Sequence, residues 1–331
     1  MLRIPLSLVL LGASVACAIT AACSDPALAT RSGGNVWIDA DPAIGLRLHD
    51  VDDGWAFVHA FEAFPGSVKG ISLGHGNTES LEYQERITRE LVKNFAPNSP
   101  PIFVGAASAD DRGETDASIA LAAALAKEPL TLLTMGRLTN IATTLRLHPE
   151  LRSQVAELVI LGGRREASMP SFGDPPLVLP DSNVEGDAQA VEELMASGIP
   201  ITLIPNELTT QIVITEADLA TLAEAGNAGP YLGDISRDWW ALNDAIFGLG
   251  GFFPYDLFVT MYADDLLRPS ITCSDEALEV VYGPDESFKN REEMVLRLQV
   301  PTDGQGTRRG RYCHTLADGA KALALRRLVG E

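Results

Sequence analysis

The sequence predicts an α/β protein built on an open, mainly parallel, doubly wound sheet. Two patterns indicate this fold class. From residue 35 onward, short runs of β-branched and aliphatic residues alternate with longer stretches of helical periodicity, and glycine or acidic residues directly follow most of the short runs. Strands separated by helices pair in parallel and are covered by helices on both faces. The 331 residues are 46% hydrophobic, which is enough for a sizeable buried core.

The first two thirds of the chain contain the predicted pairs of strand and helix. The predicted strands cover residues 36–38, 68–73, 102–104, 130–134, 158–161 and 201–204. The predicted helices cover residues 55–64, 81–94, 116–127, 139–147 and 188–197. This order is typical of a Rossmann-like core, in which ligands bind beyond the carboxyl ends of the strands. The functional site is therefore expected where the strands run into their following turns.

The last third of the chain has a weaker periodicity. We expect a helix near residues 216–224, strands at 277–282 and 294–300, then a polar, glycine-rich loop and a terminal helix. No linker composition or internal repeat interrupts the chain. A single domain over residues 30–331 is therefore predicted.

Residues 1–29 differ from the rest and resemble a secretory signal. Arg3 precedes a mostly apolar run over residues 4–11, and small residues end in Ala-Leu-Ala at 27–29. Secretion is expected, with the periplasm as an alternative. A membrane anchor and lipid attachment through Cys23 are further alternatives, although the apolar run is short for a membrane span.

Cleavage after this segment would leave Cys273 and Cys313 as the remaining cysteines. In an oxidising compartment they could form one disulfide, or remain two separate thiols, and the sequence does not decide between these.

The chain carries 45 acidic and 25 basic residues, a formal net charge of −20. This charge argues against nucleic acid as a partner, because a phosphate backbone would be repelled.

Four carboxylates cluster around the first predicted strand end. Asp39 and Asp41 follow the strand, and Asp52 and Asp53 open the next helix. A bound divalent cation would relieve their mutual repulsion, and oxygen ligands favour calcium or magnesium. Alternatively, Asp52 or Asp53 caps the helix and Asp39 begins a turn.

The segments 38–42 and 52–56 resemble the DxDPxxDD signature of the inosine-uridine preferring nucleoside hydrolases, with seven inserted residues. The resemblance extends in order along the chain over roughly residues 35–265. It includes GIS within the second strand and GNT in the turn after it, then MGRLTN, LHPE, LGG, NVEGDA and Tyr-Asp at 255–256. The family implies hydrolysis of the N-glycosidic bond of ribonucleosides to free base and ribose, in purine and pyrimidine salvage, on a nucleoside hydrolase-like fold.

The resemblance also implies a calcium ion held by the carboxylates of Asp41, Asp53 and Asp256 and the backbone carbonyl of Met135. Asp41 would also be the general base on a metal-bound water, and Asp39 would orient these ligands.

The same carry-over assigns Asp52, Asn77 and Asn183 to the ribose. Alternatively, Asp52 only caps a helix, and Asn77 and Asn183 only lie in turns. No asparagine precedes Asn183 at the place that the family uses for the ribose 5′-hydroxyl, and Asp174 or Asp181 could take that role instead.

This sequence departs from the family pattern at two further places, the acidic motif and residue 255. The insertion at residues 45–51 adds Arg47, His49 and Asp50, and it either folds outward or brings His49 or Asp50 near the substrate.

Tyr255 stands where the family usually has a histidine, and tyrosine is a poorer acid at neutral pH because its ordinary pKa is about 10. Tyr255 could still donate a hydrogen bond, or Trp239 and Trp240 could stack on the base instead of packing in the core.

Two other functions compete with nucleoside hydrolysis. One is a secreted nucleoside- or sugar-binding protein that has lost its catalytic acid. Tyr255 suggests this alternative because it replaces the usual histidine. The other is a haloacid-dehalogenase-type phosphatase, which also begins with a strand and Asp-x-Asp, although Pro42 and Ala43 follow here. The resemblance is compatible with a homodimer or a homotetramer. Base preference depends on loops at residues 164–181 and 239–253 and is left open.

Overall fold

The structure is a computed structural model, and it describes residues 34–78, 80–168, 171–173 and 176–330. The predicted signal at residues 1–29, including Cys23, lies outside the described residues, as does Asp174. Among the described residues, no helix is both long and apolar enough to cross a bilayer.

Fourteen strands are present in the described part of the chain. They are β1 (Val36–Ala40), β2 (Val68–Leu73), β3 (Ile102–Val104), β4 (Leu130–Thr134), β5 (Val155–Leu161), β6 (Arg164–Arg165), β7 (Ser171–Phe172), β8 (Leu177–Val178), β9 (Ile201–Ile204), β10 (Ile214–Thr215), β11 (Gly251–Phe252), β12 (Ile271–Pro284), β13 (Met294–Val300) and β14 (Arg308–Leu316).

Twelve α-helices connect or cover the strands in the same described residues. They are α1 (Asp52–Ala63), α2 (Leu81–Phe95), α3 (Asp116–Leu125), α4 (Thr139–Leu147), α5 (Ser182–Glu185), α6 (Ala188–Ala196), α7 (Asn206–Thr209), α8 (Glu216–Ala223), α9 (Gly229–Ile235), α10 (Arg237–Phe247), α11 (Leu257–Ala263) and α12 (Ala320–Leu328).

Ten strands form one sheet in the order β3-β2-β1-β4-β5-β9-β14-β12-β13-β6. The run from β3 to β14 is parallel, whereas β12 pairs antiparallel with both β14 and β13. The predicted α/β class with a mainly parallel sheet is confirmed. Strand order reverses on either side of β1 and β4, and this is where doubly wound sheets open a crevice for ligands.

The core lies in two apolar layers, one on each face of the sheet. Alternate side chains of β1 show the division, because Val36 and Ile38 pack in the layer that contains α1 and α11, while Trp37 packs in the layer that contains α4 and α6. All three side chains are at most 1% exposed, as expected for a central parallel strand.

The sequence expectation for residues 308–316 was wrong, because this part of the predicted loop is strand β14. It pairs with β9 on one side and β12 on the other, and it buries Tyr312 and Cys313. Cys273 and Cys313 face each other on β12 and β14 and form a disulfide. The sequence also did not predict the helices α5, α7, α9, α10 and α11.

Candidate active and metal site

Four adjacent parallel strands end at one edge of the sheet and bring the predicted site residues together. Asp41 follows β1, Asn77 follows β2, Met135 follows β4 and Gly162 follows β5. The strand order β2-β1-β4-β5 places these four segments side by side. Residues as distant in sequence as Asp41 and Gly162 therefore lie at the same edge of the sheet.

Asp39 lies inside the protein beneath the site. Its Oδ1 accepts hydrogen bonds from Ser72 Oγ and from Asn140 Nδ2, the latter over 2.9 Å. Ser72 in turn accepts a hydrogen bond from Trp37 Nε1 over 2.9 Å. Burial raises the pKa of Asp39 to about 7, and the two hydrogen bonds oppose that rise. Asp39 is therefore held by the core, which suits a supporting role.

Asp41 is buried at the mouth of the sheet. Its Oδ2 accepts the backbone N–H of Asn77 over 3.0 Å. Burial raises its pKa to about 7, neighbouring carboxylates such as Asp52 add to the rise, and the guanidinium of Arg137 lowers it. A Cβ on Gly76 would lie 1.5 Å from Oδ2 of Asp41, so the carboxylate approaches the backbone as closely as only glycine permits.

Asp52 and Asp53 are the first two residues of α1. Val51 is the N-cap residue and no side chain caps the helix, which contradicts the alternative that either aspartate is a simple cap. Oδ2 of Asp52 accepts the backbone N–H of Asp256 over 3.3 Å. Burial raises the pKa of Asp52 to about 6, and backbone hydrogen bonds to its carboxylate oppose that rise.

Asp53 and Asp256 complete the buried acidic group from opposite ends of the sequence. Asp256 directly precedes α11, which packs against α1, and it is 3% exposed. Asp53 is fully buried. Burial and then the charges of neighbouring carboxylates raise the pKa of both residues well above the ordinary range. These carboxylates destabilise one another as long as no cation lies among them.

The inserted segment contributes a further carboxylate to this group. Asp50, Asp52 and Asp53 each offer an oxygen within 4.8 Å of the others. Asn77 Nδ2 donates to Asp50 Oδ1 over 3.0 Å. The sequence leaves open whether the inserted segment folds outward or brings His49 or Asp50 near the substrate. In the structure Asp50 lines the cavity and His49 does not.

Asn183, on α5, holds two carbonyl groups at the sheet edge. Its Nδ2 donates to the Met135 carbonyl over 2.9 Å and to the Leu161 carbonyl over 3.3 Å. Asn183 thus fixes the orientation of the Met135 carbonyl, and both residues line the cavity.

A cavity of about 310 Å³ opens beside the acidic group, within the range of small-molecule sites. Its lining side chains include Asp50, Asp52, Asn77, Met135, Asp181, Asn183, Asn206, Trp239, Tyr255, Asp256, Phe288 and Lys289. The structure does not bring Trp240 to this cavity. Trp240 packs against the core and donates Nε1–H to the Gly250 carbonyl over 3.1 Å, so the prediction that it stacks on a base is not supported.

Tyr255 lies in the cavity wall but is a very weak acid there. Burial raises the pKa of its phenol far above 10, and the charges of Asp52 and Asp50 raise it further. Tyr255 therefore keeps its proton at neutral pH and can donate a hydrogen bond.

Asp181 also lines the cavity but is tied to the backbone. It is the N-cap residue of α5 and accepts the Val184 N–H over 3.3 Å and the Gly163 N–H over 2.7 Å. Burial raises its pKa to about 7.

Phe288 and Lys289 were not predicted. They belong to the turn between β12 and β13, where the Phe288 N–H donates to the Val178 carbonyl over 2.8 Å. Nothing local in the sequence indicates that this turn reaches the cavity, since its place follows from the pairing of distant strands.

The acidic group fits a hard divalent cation. Oδ1 of Asp53 is buried, and no described residue donates a hydrogen bond to it. The surrounding donors are carboxylate and carbonyl oxygens, which calcium and magnesium prefer over softer ligands. An uncompensated buried carboxylate oxygen is costly, and a cation would satisfy it.

The fold is shared with nucleoside hydrolases of known structure. A plant nucleoside hydrolase, PpNRh1, matches with a TM-score of 0.71 at 19% identity, covering 91% of this chain and 100% of that chain, which shows the shared fold. The sequence pattern of the family described as Inosine-uridine preferring nucleoside hydrolase matches residues 36–324. The chain belongs to this family.

Two plant relatives match the chain over shorter segments. Uridine nucleosidase 1 of Arabidopsis thaliana is 31% identical over 143 residues, which are 41% of this chain and 40% of that protein. Probable uridine nucleosidase 1 of Oryza sativa subsp. japonica is 30% identical over 131 residues, which are 38% of each chain. The matched segment thus spans about two fifths of these relatives' length.

Proposed function

We propose that this protein hydrolyses the N-glycosidic bond of ribonucleosides, releasing free base and ribose, and that it requires calcium. The observation that carries the proposal is the group of buried carboxylates beside a cavity of about 310 Å³ in a member of this family. The names of the two plant relatives support a ribonucleoside as the substrate.

The carboxylates of Asp41, Asp53 and Asp256 and the carbonyl of Met135 would hold the calcium ion. When bound, the ion would neutralise the acidic group, fix ribose hydroxyls and make a nearby water a better nucleophile.

Asp41 acts as the general base in this proposal. The bond between C1′ and the base nitrogen breaks with both electrons leaving on the base, and a water oxygen forms the new bond to C1′. Asp41 takes the proton of that water. The backbone N–H of Asn77 fixes the orientation of its carboxylate.

The ribosyl group carries positive charge while the bond breaks. Buried carboxylates stabilise such charge, because the protein presents them already oriented and without water in between. Asp52, Asn77 and Asn183 line the cavity and are assigned to the ribose hydroxyls.

The departing base carries the electron pair of the broken bond, so a hydrogen bond or a positive charge must stabilise it as it leaves, and it then takes a proton from water to become the free base. Tyr255 serves as a hydrogen-bond donor here because its raised pKa makes it unsuitable as a proton source. Among the described residues that line the cavity, Lys289 alone is basic, and its ammonium group is proposed to stabilise the leaving base. Trp239 offers a flat apolar surface for stacking.

Action outside the cytoplasm is also part of the proposal. The pairing of Cys273 with Cys313 supports it, because disulfides persist in oxidising compartments. N-terminal sequencing of the exported protein would test cleavage after residue 29.

A product assay across inosine, uridine, adenosine and cytidine tests the function. We expect release of free base and ribose from at least one of them. Tight nucleoside binding without turnover would contradict hydrolysis and support the binding-protein alternative. Phosphate release from a phosphomonoester, abolished by Asp39→Asn, would support the phosphatase. Membership of the nucleoside hydrolase family favours neither alternative.

A further inference from the structure

The inserted segment, residues 45–51, is exposed to solvent at its tip and buried beside the site at its end. Leu48 at the tip is 56% exposed. The segment is anchored at its start, where Tyr83 donates its hydroxyl proton to the Ile44 carbonyl over 2.8 Å, and Val51 is buried at its end. Asp50 directly precedes Val51 and lines the cavity.

Asp50 shares one hydrogen-bond donor with two other carboxylates. Asn77 Nδ2 lies 3.0 Å from Asp50 Oδ1, 3.3 Å from Asp53 Oδ2 and 3.4 Å from Asp41 Oδ1. An amide group has two protons, so it cannot satisfy three carboxylates fully. The carboxylates of residues 41, 50 and 53 thus converge on one amide group that cannot satisfy all three.

A second observation indicates a ligand at the same place. Asp53 is 0% exposed, and its Oδ1 receives no hydrogen bond from any described residue, although the carboxylates of Asp50 and Asp52 lie beside it. A buried, unsatisfied carboxylate oxygen within an acidic group is characteristic of a site that binds a cation.

We propose that Asp50, from the inserted segment, is an additional carboxylate ligand of the divalent cation held by Asp41, Asp53 and Asp256. This inference rests on the proposed calcium site. Calcium accepts six to eight oxygen ligands, so one more carboxylate can replace a water and add one negative charge to the site. The insertion would therefore tighten calcium binding and favour calcium over magnesium, which keeps its waters and demands octahedral geometry.

Calcium titration by calorimetry of the full chain, without nucleoside, tests the proposal. Asp50→Ala and Asp50→Asn should each weaken calcium binding by about 10- to 100-fold. Asp110→Asn is the matched control, since this substitution removes the same charge at an exposed residue that does not line the cavity. Circular dichroism verifies that each variant is folded.

Europium luminescence lifetimes in H₂O and D₂O give an independent readout, because they count the waters on the bound ion. Asp50→Ala should raise that count by about one relative to wild type and to Asp110→Asn. If wild type binds calcium and the Asp50 variants match it in affinity and water count, the inference is wrong while the calcium site stands. If wild type turns over nucleosides but binds no ion, calcium dependence and the inference both fail.

Discussion

The backbone N–H of Asn77 donates a hydrogen bond to Oδ2 of Asp41 over 3.0 Å. This contact joins the turn after β2 to the turn after β1, and it depends on a glycine at position 76, where Asp41 lies against the backbone. The backbone of residues 76 and 77 thus positions Asp41, the proposed general base.

Gly76→Ala should lower kcat/KM by about 100-fold or more, because a Cβ at 1.5 Å from Oδ2 must displace the Asp41 carboxylate. Steady-state kinetics check this. Gly113→Ala is the matched control, since nothing lies within 4 Å of its added Cβ. Equal activity of the two variants would show that the position of Asp41 does not limit turnover.

Tyr255→Phe should lower kcat/KM by only about fivefold, the loss of one hydrogen bond of about 1 kcal/mol. The acidic and basic limbs of the pH profile should stay in place, because the raised pKa of Tyr255 lies outside the working range. Tyr282→Phe serves as the control on an exposed phenol. A vanished pH limb in Tyr255→Phe would instead identify Tyr255 as the proton donor.

Lys289→Met should slow hydrolysis of inosine or uridine by about tenfold and leave a riboside with an activated phenolate leaving group nearly unchanged. The reason is that such a phenolate departs without help from a cation. Lys93→Met, at an exposed position of α2, is the control. An equal loss on both substrates would assign Lys289 to general binding.

The calcium-free protein should lose stability as the pH rises. Folding raises the pKa of Asp39 and Asp41 from 3.8 to about 7 and that of Asp52 to about 6. The folded state therefore binds more protons than the unfolded chain over this range, and the resulting stability is lost as the pH rises through 6 and 7.

Thermal unfolding in chelator, from about pH 5.5 to about pH 8, measures this effect, at about 1.4 kcal/mol per pH unit for each proton released. Added calcium should flatten the slope, since the ion stabilises the ionised carboxylates. A melting temperature that rises with pH in chelator would contradict the electrostatic description of the site.

The local part of the site could be predicted from the sequence. Asp41 and Asp53 flank one strand-to-helix connection, and the periodicity alone places them at the carboxyl edge of the sheet. Asp256 is about two hundred residues away, and only the family resemblance indicated it. Physical reasoning from one sequence does not reach such a pair, because the packing of α11 against α1 brings them together.

Three features depended on contacts that no local pattern contains. Strand β14 is polar in sequence and is buried only by pairing with β9 and β12. Trp239 and Trp240 are adjacent on α10, where successive side chains point about 100° apart, so one lines the cavity and the other does not. Asp50 returns to the site because Ile44 and Val51 anchor the inserted segment.

The most direct test of the central claim measures ribose release from uridine and inosine by protein that a chelator has freed of metal. The assay is then repeated as calcium is added back in steps. Turnover should be absent in chelator and should rise in proportion to the fraction of protein that has bound one calcium ion, with Asp41→Asn inactive throughout. Full activity in chelator, or an active Asp41→Asn protein, would contradict a calcium-dependent nucleoside hydrolase with Asp41 as its base.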